Sequence, residues 1–107
     1  VSLTHGEAVT LDVIFSCLIS FSRGWLSKED IYTLINVAKN LGLPTFHTYF
    51  CDSALLLEAL NDTVKHRNGA QNLPIPKEVG MSVFVNDLSY DEIKYCANLM
   101  VEFNHNA

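Results

Sequence analysis

Residues 6–23 have the sequence GEAVTLDVIFSCLISFSR, and this stretch decides the fold class. Its polar side chains recur at steps of three and four residues, which places them on one narrow stripe of an α-helix. They are Asp12, Ser16, Ser20 and Arg23. The other side chains are mostly apolar, and a helix that is apolar over most of its circumference needs several neighbours to bury it. We therefore predict that residues 6–23 form the central helix of a helical bundle.

Three more helices are predicted from cap residues and apolar spacing. Each begins at a side chain that can cap a helix, namely Ser27, Asp52 with Ser53, and Ser89, which opens a capping box with Glu92. Each also has an apolar stripe that we expect in the core: Ile31, Leu34, Ile35, Ala38 and Leu41; Leu56, Ala59, Leu60 and Val64; Ile93, Ala97, Met100 and Val101. We expect these helices to end near Gly42, near Asn68–Gly69 and near Asn104.

Two segments between the third and fourth helices favour strands. Residues 73–76 are LPIP, whose alternating prolines exclude a helix and suit an edge strand. Residues 82–85 are SVFV, which has strand composition, and Val79–Gly80 can form the turn between them. The predicted fold is therefore mainly α, a helical bundle with one small β-hairpin, while residues 45–51 stay open between extended and helical.

Composition and charge limit the function classes. The chain has 107 residues, enough for one domain, and only 18% of them are charged, against about 25% in typical soluble domains. Such low charge indicates a surface that contacts something else, or a piece of a larger protein; because the first residue is Val1, we expect a piece. The net charge of −5 argues against nucleic acid, and the apolar run 8–21 is shorter than the ~20 residues that span a membrane.

The three cysteines indicate the redox compartment. Cys17, Cys51 and Cys96 lie far apart among apolar neighbours, without a C-x-x-C pair. We expect buried free thiols in a reducing compartment, so the predicted location is cytoplasmic.

The residues alone leave the chemistry open at two places. The four histidines, His5, His47, His66 and His105, show no metal-ligand spacing, so ordinary hydrogen bonding is expected of them. Residues 62–69 form the most donor-rich stretch, and Lys65 with His66 could bind a phosphate by charge-assisted hydrogen bonds. The alternative is that these cations only pair with the dipole at a helix C-terminus, and composition favours it.

A family resemblance begins at these same residues. Residues 4–9, THGEAV, resemble the H-G-E-A-V motif of the sugar phosphate cyclases, the 3-dehydroquinate synthase superfamily. The later features follow in a similar order: the loop 41–44, a helix that ends in a lysine motif and a glycine, a Leu-Pro segment, and a capped last helix. The resemblance extends from Thr4 to about Phe103.

Departures from the superfamily pattern favour one branch. Dehydroquinate synthases have D-K-K where this chain has Lys65 and His66, and a small residue where it has Asp12. Residues 66–71, HRNGAQ, together with LPIP, are similar to the branch that cyclises sedoheptulose 7-phosphate. That branch includes 2-epi-5-epi-valiolone synthase and desmethyl-4-deoxygadusol synthase. The resemblance thus favours a 2-epi-5-epi-valiolone synthase type, with desmethyl-4-deoxygadusol synthase and 3-dehydroquinate synthase as alternatives.

The resemblance implies a domain arrangement and a site. Residues 1–107 would be the C-terminal helical, metal- and substrate-binding domain of a two-domain enzyme, and the N-terminal NAD-binding domain would lie outside this chain. His5 matches one ligand of a catalytic divalent metal, zinc or another such as cobalt, whose other ligands would precede Val1. Lys65 or His66 would contact the sugar phosphate. The family also suggests a homodimer, and no residue here is assigned to catalysis or to NAD.

The implied reaction eliminates phosphate. NAD would transiently oxidise a hydroxyl to a ketone whose oxygen the metal polarises, phosphate would leave by β-elimination, the ketone would be reduced back so that NAD is regenerated, and ring opening with an intramolecular aldol step would close the new ring. The enzyme would be a carbon–oxygen lyase, and the 107-residue chain alone is expected to be inactive. A hypothesis of another class is a non-catalytic helical interaction module, in which the low charge marks a face that binds a partner.

Overall fold

Four α-helices and one antiparallel hairpin make up the chain, in a computed structural model that describes residues 4–66, 69, 71, 73–78 and 80–106. The helices are α1 (His5–Ser22), α2 (Lys28–Asn40), α3 (Ser53–His66) and α4 (Tyr90–Asn106), and a 3₁₀ turn, Thr48–Cys51, precedes α3. The strands are β1 (Leu73–Glu78) and β2 (Met81–Val85). The predicted mainly α fold with one small hairpin is confirmed. The predicted end of α3 at Asn68 lies outside the described residues.

The start of α1 is fixed by a capping box. Thr4 Oγ1 accepts the Glu7 backbone N–H at 3.2 Å, and Glu7 Oε1 accepts the Thr4 N–H at 2.9 Å. Hydrogen bonds from the backbone and side chain of Thr4 lower the pKa of the Glu7 carboxyl. Because both reciprocal bonds form, the helix begins at His5, one residue before the predicted Gly6.

Helix α1 packs against α2, α4 and β1, as expected of a central helix. Leu11, Ile14 and Leu18 are fully buried along it. Its first half departs from the prediction, since Val9 and Val13 are exposed. Ser20, which was expected on a polar stripe, is buried, and its hydroxyl has no hydrogen-bond partner among the described residues. Apolar composition thus predicted the core of α1 but not its uncovered flank.

Three residues predicted in the other apolar stripes are exposed instead. Leu41 is the C-cap residue of α2 and lies past the last turn that packs on α1. In α4 the buried stripe continues from Met100 to Phe103, three residues on, which turns Val101 outward. Ala59 of α3 faces the open groove described below. In each case the spacing is helical, and what differs is whether another element covers the position.

Two polar clusters join distant segments. Arg23 donates Nε to Glu92 Oε2 at 2.9 Å and Nη2 to Glu92 Oε1 at 3.0 Å, and it also contacts Asp87 Oδ1 at 3.0 Å. Ser89 Oγ accepts the Glu92 N–H at 3.2 Å, but the Glu92 carboxylate binds Arg23, so the predicted capping box at Ser89 is only half formed. These bonds join the C-terminus of α1 to the start of α4.

The second cluster holds the C-terminal half of α4. Asn104 Nδ2 donates to the Thr45 carbonyl at 2.7 Å and to the Met100 carbonyl at 2.9 Å, and the Thr45 hydroxyl donates to Asn104 Oδ1. Helix α4 therefore continues to Asn106, beyond the fraying predicted near Asn104.

The hairpin lies on α1 through β1. Leu73 pairs with Val85 and Ile75 with Val83, and Ile75 and Val85 are buried on the inner face. Gln71 Nε2 donates to the Leu88 carbonyl at 2.8 Å, and Gln71 Oε1 accepts the Leu88 N–H at 2.7 Å. These bonds hold the two ends of the hairpin beside each other. No helix among the described residues is long and apolar enough to cross a membrane.

Two of the three cysteines are buried free thiols, as predicted. Burial raises the pKa of Cys17, and it raises the pKa of Cys96 to about 11. The side chain of Cys51 is outside what the structure describes. Cys17 and Cys96 are therefore packing residues rather than nucleophiles.

Candidate functional site

A groove of about 470 Å³ opens beside the contact of α1 with β1, and α3 and the 3₁₀ turn form its third side. Most of its lining is apolar: Phe15, Ile19, Phe50, Leu56, Ala59, Leu60, Leu73, Pro74, Ile75, Leu88 and Ile93. Its polar lining side chains are Asp12 and Ser16, both on α1. An apolar cleft with few convergent polar groups is the usual form of a small-molecule site.

Asp12 lies where the groove meets a second, shallower recess. That recess, about 250 Å³, is lined by Val9, Asp12, Val13, Ser16, Pro74 and Pro76. Partial burial raises the pKa of the Asp12 carboxyl. No hydrogen bond joins this carboxyl to another described residue, so both oxygens are free to accept hydroxyl groups of a ligand. Sequence analysis did not assign Asp12 to the site, although an acid in an otherwise apolar helix was visible.

His5 shares the helix face of Asp12 and Ser16. Positions 5, 12 and 16 differ by nearly whole helical turns, so their side chains project in almost the same direction, and His5 lies about 10 Å along the axis from Asp12. The imidazole is exposed, and no described residue hydrogen-bonds it. The chemistry of this side chain fits one ligand of a zinc ion, which neutral imidazole nitrogens bind in proteins.

One histidine does not complete a metal centre. Within the part of the chain that the structure describes, no three His, Cys, Asp or Glu side chains come close enough to hold an ion. Catalytic zinc sites use three protein ligands, so further ligands would have to come from outside this part of the chain. NAD does not fit the described residues: Gly24, Gly42 and Gly80 form turns, and none opens a phosphate-binding loop.

The predicted substrate contacts lie at the C-terminal end of α3, whose earlier residues line the groove. Lys65 and His66 occupy the last turn of α3, the helix that lines the groove through Leu56, Ala59 and Leu60. The structure describes their backbone only, and Arg67 and Asn68 lie outside the described residues. Their contact with substrate therefore remains a prediction.

The other two histidines lie elsewhere. His47 is half-buried before the 3₁₀ turn, and His105 is exposed in the last turn of α4. Neither lines the groove. Of the three histidines whose side chains the structure describes, His5 is thus the one that shares a helix face with Asp12 of the groove.

The sequence of the chain is similar to those of two kinds of synthase. No protein family model matches the chain. It is 41% identical over 92 residues to a 2-epi-5-epi-valiolone synthase of Streptomyces hygroscopicus subsp. jinggangensis; the match covers 86% of the chain and 22% of that protein. It is 28% identical over 97 residues to a 3-dehydroquinate synthase of Thermodesulfovibrio yellowstonii, covering 91% of the chain and 27% of that protein.

A solved structure matches the fold. ValA, the 2-epi-5-epi-valiolone synthase of that Streptomyces, has NAD⁺ and Zn²⁺ bound; its similarity to this chain has a TM-score of 0.88 and 39% identity, over 94% of this chain and 28% of ValA. The match falls in the C-terminal part of ValA. The chain spans about a quarter of the length of the curated relatives it matches, and these relatives are synthases. The chain therefore belongs to the superfamily of sugar phosphate cyclases that includes 3-dehydroquinate synthase.

Proposed function

We propose that this chain acts as the C-terminal helical, metal- and substrate-binding domain of a two-domain cyclase, which converts sedoheptulose 7-phosphate into 2-epi-5-epi-valiolone with loss of phosphate. The match to ValA supports this most directly, since it combines 39% identity with the same fold over 94% of the chain. The groove lined by Asp12, which shares a face of α1 with His5, supports it independently. NAD would be bound by an N-terminal domain, because the described residues offer no phosphate-binding loop.

His5 would hold the metal from the first residue of α1. Its imidazole would be one of three protein ligands, and the other two would come from residues outside this chain. Bound zinc supplies Lewis acidity toward a hydroxyl or ketone oxygen of the substrate. The capping box at Thr4 and Glu7 fixes the backbone of this turn, so the imidazole is positioned before the ion arrives.

Asp12 and Ser16 would orient the polyol. Both side chains lie on the groove side of α1, and a carboxylate accepts hydrogen bonds from two neighbouring hydroxyls. The apolar walls formed by Phe15 and Ile75 exclude water from the remaining surface of the ligand. Lys65 or His66 would bind the phosphate by charge-assisted hydrogen bonds at the end of α3.

The test is an assay of the complete polypeptide that contains this chain. We expect it to release phosphate from sedoheptulose 7-phosphate in the presence of NAD⁺ and Zn²⁺, and mass spectrometry of the product separates the valiolone from desmethyl-4-deoxygadusol. His5→Ala should lose bound zinc and turnover, whereas His105→Ala, at an exposed histidine of α4, should keep both. If His5→Ala keeps its zinc content and turnover, the ligand assignment is wrong.

The phosphate contact is tested separately. Lys65→Ala or His66→Ala should lower kcat/KM by about 10–150-fold, the loss expected for a charged hydrogen bond of roughly 1.5–3 kcal/mol. Lys94→Ala, at an exposed lysine of α4, is the control. If both groove variants stay within a few-fold of the parent protein, the phosphate is bound elsewhere.

Several finer properties belong to the same proposal. The enzyme would be a phosphate-eliminating carbon–oxygen lyase, a homodimer and cytoplasmic, and the 107-residue chain by itself would be inactive. The non-catalytic interaction module is not favoured, because the relatives named above are synthases. If the purified 107-residue chain released phosphate from the substrate, the proposed assignment of NAD binding and further metal ligands to residues outside this chain would be wrong.

A further inference from the structure

Strand β2 is covered on one face only. Its backbone approaches that of β1 and of no other helix or strand among the described residues, and Val85 on its inner face is buried. Its Phe84 side chain is 67% exposed, and Met81 is exposed beside it. An exposed aromatic side chain on an edge strand is unusual on the surface of a soluble protein. The side chain exposes apolar area to water, and the strand exposes unpaired backbone groups.

The exposed apolar surface continues from β2 onto α1. Phe84 pairs with Pro74 across the hairpin, so both side chains lie on its outer face. Pro74 and Pro76 in turn line the shallow recess together with Val9 and Val13 of α1. We call these five residues, Val9, Val13, Pro74, Pro76 and Phe84, the hairpin face. It contains no charged side chain, and Asp12 lies at its border.

The edge of β2 has a further consequence. Proline has no backbone N–H, so the pairs Pro74–Phe84 and Pro76–Ser82 are expected to be the ones without mutual hydrogen bonds. That register directs the backbone N–H and C=O groups of Phe84 and Ser82 toward the open edge. The hairpin face therefore has unpaired backbone groups next to its most exposed side chain.

We propose that the hairpin face is the surface on which the remainder of the longer enzyme docks, an inference that rests on the proposed function. The match to this chain covers 28% of ValA, so ValA is about three and a half times as long as the matched part. Residues before Thr4 in such a polypeptide join α1 one turn from Val9, at the border of the face. The apolar side chains of the face would be buried by an apolar counterpart, which a covalently linked domain supplies at high effective concentration, while Asp12 and Ser16 line the same recess.

Photo-cross-linking in the complete polypeptide tests this docking. The photoreactive residue p-benzoylphenylalanine replaces Phe84 in one variant and Leu41 in another; Leu41 is 69% exposed, lies on α2 and lines neither the groove nor the recess. We expect the variant at position 84 to form cross-links within one chain, to peptides N-terminal of Thr4. The variant at position 41 should give none to those peptides.

The other outcomes overturn the proposal. Cross-linked dimers from position 84, at twice the monomer mass, would assign the face to a second copy. Equal cross-linking from both positions, or none from position 84, would mean that the N-terminal part of the polypeptide does not dock on the hairpin face. Because the readout needs no turnover, an active enzyme without the cross-link refutes the docking alone, and an inactive protein with the cross-link refutes the proposed activity alone.

A stability comparison gives a second readout. Phe84→Ser should lower the melting temperature of the complete polypeptide by roughly 2–4 °C or more if the ring is covered there, whereas Leu41→Ser should leave it nearly unchanged. Equal effects of the two substitutions would contradict a docked Phe84.

Discussion

Removing the Thr4 cap should weaken metal binding although Thr4 is not a ligand. The Thr4 hydroxyl accepts the Glu7 N–H, and the Glu7 carboxylate accepts the Thr4 N–H. Thr4→Ala removes the first bond, and losing such a cap costs about 1 kcal/mol in comparable helices. His5 is the first residue of that turn, so fraying would remove the conformation in which, under the proposed function, it binds the ion. If metal binds only the formed turn, affinity falls with the fraction of unbound protein in which that turn is formed, and about fivefold, the whole of 1 kcal/mol, is the largest loss expected.

The chain offers a matched control for this prediction. Ser27 caps α2 with the same reciprocal geometry, at 3.1 Å to the Asp30 N–H and 3.0 Å from the Ser27 N–H to Asp30. Ser27→Ala should destabilise the protein about as much as Thr4→Ala, but α2 does not line the groove. Competitive zinc titration of the complete polypeptide should therefore show weaker binding for Thr4→Ala only, with Thr4→Ser retaining affinity. Equal loss in Ser27→Ala would mean that global stability, not the first turn of α1, controls the metal site.

Three further predictions concern stability. Glu92→Gln should lower the free energy of unfolding in urea by about 1.5–3 kcal/mol, because Glu92 binds Arg23 through two oxygens and its side chain is only 29% exposed. Asp87→Asn should lower it by at most about 1 kcal/mol, because the Asp87 side chain is 79% exposed. Equal losses in the two variants would refute this ranking. Burial raises the folded-state pKa of Asp12, so the folded state binds more protons than the unfolded state, and the free energy of unfolding falls as pH rises above about 3.9. Asp12→Asn should flatten this fall in urea titrations at several pH values. An unchanged dependence of the free energy of unfolding on pH would contradict the prediction. Cys96 titrates near 9.0 when unfolded and at about 11 when folded, so stability should fall as pH rises from 9 to 11, a loss that Cys96→Ala should reduce.

Local signals predicted the elements of this fold. Caps at Ser27 and Asp52 act within three residues, and helical spacing of apolar residues needs only one turn of chain to be recognised, whereas the capping box at Thr4 was not predicted. The hairpin followed from prolines that exclude a helix. Burial was harder, because it depends on what lies opposite. Val13 and Leu41 are apolar at helical spacing, yet no described element covers either.

The residues of the candidate site show the same difference between local signals and contacts with distant elements. His5 was predicted as a metal ligand from the resemblance of a motif of adjacent residues, and that role stays a prediction; its helix face follows from the same local geometry. Asp12 was not identified, because its position in the groove depends on β1, whose residues lie about sixty positions later in the chain. The bidentate contact between Arg23 and Glu92 was missed for the same reason, since Glu92 matched a local capping box and binds a distant guanidinium instead.

Helix α1 combines the core and the candidate site on opposite faces. Leu11, Ile14 and Leu18 are buried against the other helices, which fixes the rotation of the helix about its axis. Once that rotation is fixed, Asp12 lines the groove and His5 projects in nearly the same direction from the start of the helix, because their angular positions are set by their spacing. Packing of residues that never contact a ligand therefore determines where the polar groups are presented. A core substitution that rotates α1 should displace His5 and Asp12 together, whereas a change in β1 should affect only the opposite wall.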